Sequence, residues 1–255
     1  MLLLHSTLFQ ILFYLSTFVL MVLFSPVFLL PRRWGWWIVP FWSWFNLALL
    51  RFIVGLKVEV RGRENIPEGG YIVASKHQSA WETFALIPEF PDPTYILKRE
   101  LRWIPIFGWY TAKFRQIPIN RGKRSAALAE MMIAAKEAIS EDRQIMIFPE
   151  GTRRPVGAEP KYKFGIAHLY RDLDCPVLPV ALNAGLYWPR ASWMLYPGTV
   201  LVNILPPIQP GLAPDVFHAT LIETIETATE ELCEEARGEA RPSPLLADLR
   251  PAAAD

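Results

Sequence analysis

Two patterns of apolar residues divide the chain. Residues 7–30 carry no charged side chain, and a second apolar stretch runs from Trp34 to Leu56. From residue 57 onward, short apolar runs alternate with longer amphipathic segments. The uncharged stretch is long enough to cross a bilayer, for which about 20 apolar residues suffice. The pattern therefore predicts an N-terminal membrane-anchoring module of two helical segments, residues 1–56, ahead of a second domain.

The second domain, residues 57–240, has the pattern of an α/β protein. Short apolar or alternating runs predict strands, and the amphipathic segments between them predict helices. This alternation indicates a largely parallel sheet flanked by helices. Residues 241–255, with three prolines and four alanines, predict a disordered tail. The predicted strands are Val58–Val60, Tyr71–Ala74, Thr94–Leu97, Ile117–Ile119, Gln144–Phe148, Val177–Leu182 and Thr199–Leu205, and the predicted helices are Ser79–Leu86, Ser125–Ile139, Lys163–Tyr170 and Val216–Ala236.

Composition supports the membrane module. The chain of 255 residues is 52% hydrophobic, more than an average soluble domain. A cleaved signal peptide is the alternative for the first stretch, but no Lys or Arg precedes it and no small-residue cleavage site follows. Five tryptophans between Trp34 and Trp44 suit a membrane interface, with a core helix as the alternative. Arg32, Arg33 and the basic residues after the second segment predict that the second domain lies on the cytoplasmic side of the membrane.

Charge is unevenly distributed, although the net charge is only +1. Lys98 to Arg124 holds eight Lys or Arg and one acid, whereas Asp215 to Glu239 holds eight acids and one Arg. The basic block suits an anionic substrate or lipid headgroups. The acidic block predicts the solvated face of a terminal helix. Cys175 and Cys233 form no cluster with histidines, which predicts no metal site and a reducing compartment.

Polar side chains follow three of the predicted strands directly. His77 follows the strand Tyr71–Ala74, Arg121 follows Ile117–Ile119, and Glu150 and Arg153 follow Gln144–Phe148. Such residues collect into sites, because the carboxyl ends of parallel strands meet at one edge of a sheet. Arg121 and Arg153, together with Lys98, can clamp a phosphate, since guanidinium groups grip phosphate oxygens in pairs. The alternative is that each is a solvated surface charge.

His77 and Glu82 are the candidate catalytic pair. A neutral imidazole can remove a proton from an alcohol, and a carboxylate on its other nitrogen fixes the tautomer. Five positions on one continuous helix give about 140° of rotation, so His77 must precede the helix and Glu82 must lie in its first turn. The alternative is a capping box in which Glu82 serves only Ser79. The chain has no Gly-x-Ser-x-Gly elbow and no His-Glu-x-x-His motif, which favours a base acting directly on a substrate hydroxyl.

Three motifs stand in order along the second domain: His77-x4-Glu82, Phe148-Pro149-Glu150-Gly151-Thr152-Arg153 and Val177-Leu178-Pro179-Val180. Taken together, they resemble those of the glycerolipid acyltransferases. The resemblance runs from about Asn65 to Pro207. That family usually has Asp where this chain has Glu82, and Asp where it has Asn120.

The resemblance implies a membrane-bound O-acyltransferase of phospholipid biosynthesis. It would move a fatty acyl group from acyl-CoA or acyl-carrier protein to the 2-hydroxyl of 1-acylglycerol 3-phosphate, giving phosphatidic acid. His77 would be the base and Glu82 its orienting carboxylate. The implied partners are the bilayer, lysophosphatidic acid and the acyl donor, with no metal, cofactor or nucleic acid. Another lysolipid or glycerol 3-phosphate as acceptor, hydrolysis by water, and a non-catalytic lipid-binding protein are the alternatives. The implied substrate-binding residues are Lys98, Arg121, Glu150, Gly151, Thr152 and Arg153.

Overall fold

A seven-stranded sheet organises the structure. The computed structural model describes residues 1–119, 124–239 and 242–249. Within them the strands are β1 (Leu56–Arg61), β2 (Tyr71–Ser75), β3 (Pro93–Lys98), β4 (Ile117–Ile119), β5 (Gln144–Ile147), β6 (Val177–Leu182) and β7 (Gly198–Ile204). Their order across the sheet is β1-β7-β6-β2-β5-β3-β4. All neighbouring pairs are parallel except β6 and β7, so the five strands from β6 to β4 point the same way. The predicted α/β class with a largely parallel sheet is confirmed.

Helices cover both faces of the sheet, which explains why its central strands are continuously apolar. The helices are α1 (Leu2–Leu23), α2 (Arg32–Gly35), α3 (Ile38–Leu49), α4 (Glu82–Ala85), α5 (Phe107–Lys113), α6 (Arg124–Ser140), α7 (Gly165–Leu173) and α8 (Pro214–Arg237). In β2, Ile72 faces a core built with α6, α7 and α8. The next residue, Val73, faces the opposite core, which includes Phe9 of α1 and Phe84 of α4.

The two N-terminal apolar segments are long helices with one face on the domain. Leu2–Leu23 and Arg32–Val54 are each long and apolar enough to cross a membrane. Only 17% of the apolar window is buried in the first and 28% in the second, whereas a core helix of a soluble protein is mostly buried. Trp34, Trp37 and Trp44 are exposed, which disfavours the alternative of a tryptophan-rich core helix. These helices are compatible with a membrane anchor.

The structure differs from the predicted elements at two helices. The helix expected over Ser79–Leu86 is a single α-helical turn, α4, because the chain must first fold back ahead of it. Helix α5 was not anticipated from the sequence. It begins after Ile106, whose φ of 64° is a strained value for a branched residue.

Residues 242–249 do not form the predicted disordered tail. They include a 3-10 helix, Pro244–Asp248, and Leu246 is only 3% exposed in the core of the domain. The Arg237 guanidinium donates hydrogen bonds of 3.0 Å to the carbonyl oxygens of Leu246 and Leu249. The composition indicated disorder, but these leucines and Arg237 fix the segment against the domain.

The tail segment should contribute measurably to stability. We expect Leu246→Ala to lower the free energy of unfolding by about 2–5 kcal/mol, because it leaves a cavity in a packed core. Denaturant unfolding of purified protein measures this change. Leu212→Ala is the control, since Leu212 is 42% exposed and should change stability little. Equal midpoints for the two variants would contradict the packing of the tail.

Candidate active site

The candidate site lies where the carboxyl ends of β2, β5 and β3 meet. His77 follows β2 by two residues, the segment from Phe148 to Arg153 follows β5, and Lys98 ends β3. Because these strands are parallel neighbours, their ends share one edge of the sheet. Arg121, which follows β4, lies outside the described residues. Of the three strand ends predicted to carry the site, the structure thus brings together the two that carry His77 and Arg153, and it places Lys98 of β3 beside them.

His77 and Glu82 are in direct contact. The Nδ1 atom of His77 lies 2.8 Å from Oε1 of Glu82, which is fully buried. His77 precedes α4 and Glu82 is its first residue, so the predicted geometry is confirmed. An ionised carboxylate only accepts hydrogen bonds, so Nδ1 carries the proton and Nε2 is left as the basic nitrogen. The arrangement suits a general base.

Glu82 also serves the backbone ahead of its helix. Its Oε1 atom accepts hydrogen bonds of 2.7 Å from the backbone N–H groups of Gln78 and Ser79. The Ser79 contact is the reciprocal half of a capping box. Contact with the imidazole and capping of the turn therefore do not exclude each other, because one oxygen of Glu82 does both.

Both the imidazole and the backbone of His77 make further contacts. Its ring stacks on Phe148, with centroids 4.2 Å apart and planes 18° apart. The backbone N–H of His77 donates to Oε2 of Glu150 at 2.8 Å. The backbone N–H of Arg154 donates to the carbonyl oxygen of His77, also at 2.8 Å. Both faces of the His77 backbone are thus tied to the segment that follows β5.

Glu150 does not reach the space that a substrate would occupy. It is 1% exposed, with Oε2 on the His77 backbone and Oε1 3.1 Å from the Lys76 ammonium. Burial acts to raise the pKa of this carboxyl, and the Lys76 charge acts against that rise. Both oxygens of Glu150 thus face protein donors, and its direct binding of substrate stays a prediction. Its place is beneath the site.

A large cavity opens beside His77. Its volume is about 1450 Å³, above the roughly 300–1,000 Å³ typical of small-molecule pockets. One wall is polar and comes from the sheet edge, with His77, Lys98, Thr152 and Arg153. Another part of the lining, the apolar wall, comes from the N-terminal helices and their connection, with Leu20, Met21, Trp36, Val39 and Trp42. The cavity suits an amphiphilic molecule of lipid size.

The other predicted binding residues that the structure describes, Lys98, Gly151, Thr152 and Arg153, line this cavity. Lys98 and Thr152 are exposed, and Arg153 is half-buried. Gly151 has a φ of 69°, a left-handed value that favours glycine and turns the chain after β5 toward the cavity. Lys98 and Arg153 therefore both line the cavity and contribute two cations to its polar wall.

Sequence reasoning missed three polar residues beneath the site. Lys76 binds Glu150 and also Glu226 of α8, with its Nζ atom 2.6 Å from Glu226 Oε1. The hydroxyl of Tyr162 donates to the same oxygen at 2.6 Å. Glu226 lies in the acidic helix predicted to have a solvated face. Its spacing of three and seven residues from the buried Thr229 and Cys233 was the available signal.

An α/β domain with a histidine–carboxylate pair at its sheet edge matches known proteins in both sequence and structure. The Acyltransferase family matches residues 57–183. A 1-acyl-sn-glycerol-3-phosphate acyltransferase of Pseudomonas aeruginosa is 41% identical over 205 residues, 79% of this chain and 79% of that protein. The alpha form from Mus musculus is 30% identical over 207 residues, 73% of each protein.

A solved structure shares the fold. The crystal structure of a 1-acyl-sn-glycerophosphate acyltransferase from Thermotoga maritima matches with a TM-score of 0.74 and 24% identity. The match covers 94% of this chain and all of that one. The protein is thus an α/β enzyme of the acyl-transferring class. The chain belongs to the acyltransferase family.

Proposed function

We propose that the protein transfers a fatty acyl group to the 2-hydroxyl of 1-acylglycerol 3-phosphate, giving phosphatidic acid. The donor is acyl-CoA or acyl-carrier protein, and it is the only co-substrate. The observation that carries the proposal is the 2.8 Å contact between His77 and Glu82 at the polar wall of a lipid-sized cavity. The curated relatives named for this reaction support the choice of acceptor.

The chemical step is a direct acyl transfer. Nε2 of His77 takes the proton from the acceptor hydroxyl as its oxygen attacks the thioester carbonyl. A carbon–oxygen bond forms, the carbon–sulfur bond breaks, and the thiolate takes the proton back from the imidazolium. The negative charge of Glu82 stabilises the imidazolium during this step. A thiol is a good leaving group because its pKa is about 8.5.

The two walls of the cavity bind the two ends of the acceptor. Its phosphate binds Lys98 and Arg153, with Thr152 and the backbone at Gly151 beside them. We include Arg121 in this clamp, because in the sequence it follows the last residue of β4 by two positions. The acyl chain lies along the apolar wall. Fixing both ends places the hydroxyl at His77, and such orientation is worth several kcal/mol in favourable cases.

The membrane is part of this proposal. Helix α1 and the Arg32–Val54 segment are its anchor in the inner membrane, and the sheet domain, residues 57–240, lies on the cytoplasmic face. Positive residues at 32 and 33 follow the first apolar segment, as expected for the cytoplasmic side. Acceptor and product are both membrane lipids, so they enter the cavity between the anchor and the sheet edge.

Turnover of purified protein in lipid or detergent tests the function. Labelled acyl-CoA or acyl-carrier protein is combined with lysophosphatidate, glycerol 3-phosphate or other lysolipids. We expect labelled phosphatidic acid, with lysophosphatidate giving the highest kcat/KM. Release of free fatty acid without an acceptor would indicate a hydrolase. Lysolipid binding without any turnover would indicate a lipid-binding protein.

Arg153→Ala should act on acceptor binding. We expect the acceptor Michaelis constant to rise about tenfold or more, since a hydrogen bond to a charged group contributes roughly 1.5–3 kcal/mol. Turnover at saturating acceptor should change less, because Arg153 does not contact the reacting hydroxyl. Arg171→Ala, at an exposed arginine paired with Asp172, is the control. An unchanged acceptor constant in Arg153→Ala would remove Arg153 from the phosphate clamp.

A further inference from the structure

We propose that Lys76 and Glu226 are positioning residues for the acyl-transfer step, acting on His77 through Glu150. This inference rests on the proposed function, because it concerns the same histidine. The two residues lie 150 positions apart in the chain and meet beneath the sheet edge. Neither faces the cavity or can touch the substrate there.

An unbroken chain of contacts leads from α8 to His77. Glu226 Oε1 lies 2.6 Å from Lys76 Nζ, and Lys76 Nζ lies 3.1 Å from Glu150 Oε1. The second oxygen of Glu150 accepts the backbone N–H of His77 at 2.8 Å. Each link is a charged hydrogen bond, and these are stronger than neutral ones. The orientation of Glu150 is therefore fixed by Lys76 on one oxygen and by His77 on the other.

Burial makes this network sensitive to the loss of one member. The side chain of Lys76 is 3% exposed, that of Glu150 is 0% exposed and that of Glu226 is 17% exposed. A buried charge without its partner is costly, so the carboxylates depend on the ammonium between them. Without Lys76, two acidic groups would face each other across the space its ammonium fills, and Glu150 would turn or take up a proton.

The effect should appear in catalysis because it moves the base itself. His77 is held between Glu150 at its backbone N–H and Arg154 at its carbonyl oxygen. A shift in Glu150 displaces the imidazole relative to the substrate hydroxyl, and a misplacement of 1 Å can lower a rate about 10²-fold. Binding of the acceptor phosphate, which uses other groups, should be largely retained.

Glu226 differs from its neighbours on α8 in the way this role requires. Glu223 and Glu230 are exposed, three residues before it and four after it. Glu226 is turned inward, where its Oε1 atom also accepts the hydroxyl of Tyr162 at 2.6 Å. Tyr162 precedes Lys163, whose backbone N–H donates to Pro149. The network thereby joins α8 to the segment that carries Arg153.

The test compares kcat and acceptor KM for five variants of the full chain, each checked for folding by its thermal midpoint. We expect Lys76→Met to lower kcat about ten- to a hundredfold, with acceptor KM within about threefold of wild type. Glu226→Ala should also lower kcat, whereas Glu226→Gln should recover most of it, because an amide oxygen still accepts from Lys76 and Tyr162. Glu230→Ala, the matched surface control, should retain wild-type kcat.

The double variant Lys76→Met/Glu226→Ala separates positioning from general damage. Removing Glu226 relieves the repulsion left by Lys76→Met, so the double variant should be at least as active as Lys76→Met alone. The proposal would be overturned if kcat of the double variant fell by the product of the two single-variant factors. A rise in acceptor KM with wild-type kcat would also overturn it. So would wild-type kcat in both folded single variants. If Lys76→Met does not fold, the comparison of kcat between Glu226→Ala and Glu226→Gln decides the proposal by itself. A wild-type protein without acyl transfer would instead overturn the proposed function.

Discussion

His77→Ala should lower the rate of acyl transfer by about 10²- to 10⁴-fold, the range that a positioned general base contributes. Among the described residues of the polar wall, His77 is the only one placed to take the proton from the acceptor hydroxyl. The variant lacks that base. It should still fold, because Glu82 keeps its hydrogen bonds to the backbone of Gln78 and Ser79. Turnover with labelled donor and lysophosphatidate measures the loss.

The control for this prediction is His5→Ala. His5 is exposed near the start of α1, so its removal should leave turnover unchanged. The acceptor should still bind to His77→Ala, since Lys98 and Arg153 are intact. A folded His77→Ala protein with turnover close to wild type would remove His77 from the mechanism and leave the cavity without a base.

Glu82→Gln should have the second-largest effect, lowering kcat about 10²-fold or more with little change in acceptor KM. In a serine-protease triad, exchanging the orienting carboxylate for an amide lowers kcat by about 10⁴-fold, through the wrong imidazole tautomer. The same reasoning applies here, because Glu82 Oε1 lies 2.8 Å from Nδ1 of His77. The amide also loses the negative charge that stabilises the imidazolium.

Glu82→Asp tests the length of the side chain separately from its charge. It keeps the carboxylate that the glycerolipid acyltransferases usually have here, but it is one methylene shorter on a backbone adapted to Glu. We expect an activity between those of wild type and Glu82→Gln. Thermal midpoints are needed for both, since Glu82 is fully buried and an unpaired amide donor there costs about 1–3 kcal/mol. Turnover of Glu82→Gln within about threefold of wild type would show that Glu82 only caps the turn.

The central strands were predictable because their pattern is local. Buried parallel strands are continuous apolar runs between turn residues, and Tyr71–Ser75 and Val177–Leu182 are of this kind. The contact between His77 and Glu82 was predictable for a similar reason. The two residues are five positions apart in the sequence, and helix geometry leaves one way for them to meet.

The roles of Glu150 and of the tail were not predictable in this way. Glu150 follows its strand like a binding residue, but its side chain turns inward because Lys76 and the His77 backbone, more than 70 residues away in sequence, offer donors there. Leu246 sits in a segment whose composition indicates disorder, and its burial depends on a core built by distant residues.

The sequence alone determined the α/β class, the order of the strands along the chain, the apolar N-terminal segments and the one geometry in which His77 can meet Glu82. These follow from periodicity and short-range geometry, which a chain carries in its residue order. The tertiary structure alone decided which strands are neighbours, which strand-end residues face the cavity, and that Lys76 meets Glu226. Those outcomes depend on contacts between residues far apart in sequence, and the direction of each side chain is set only when both partners are in place.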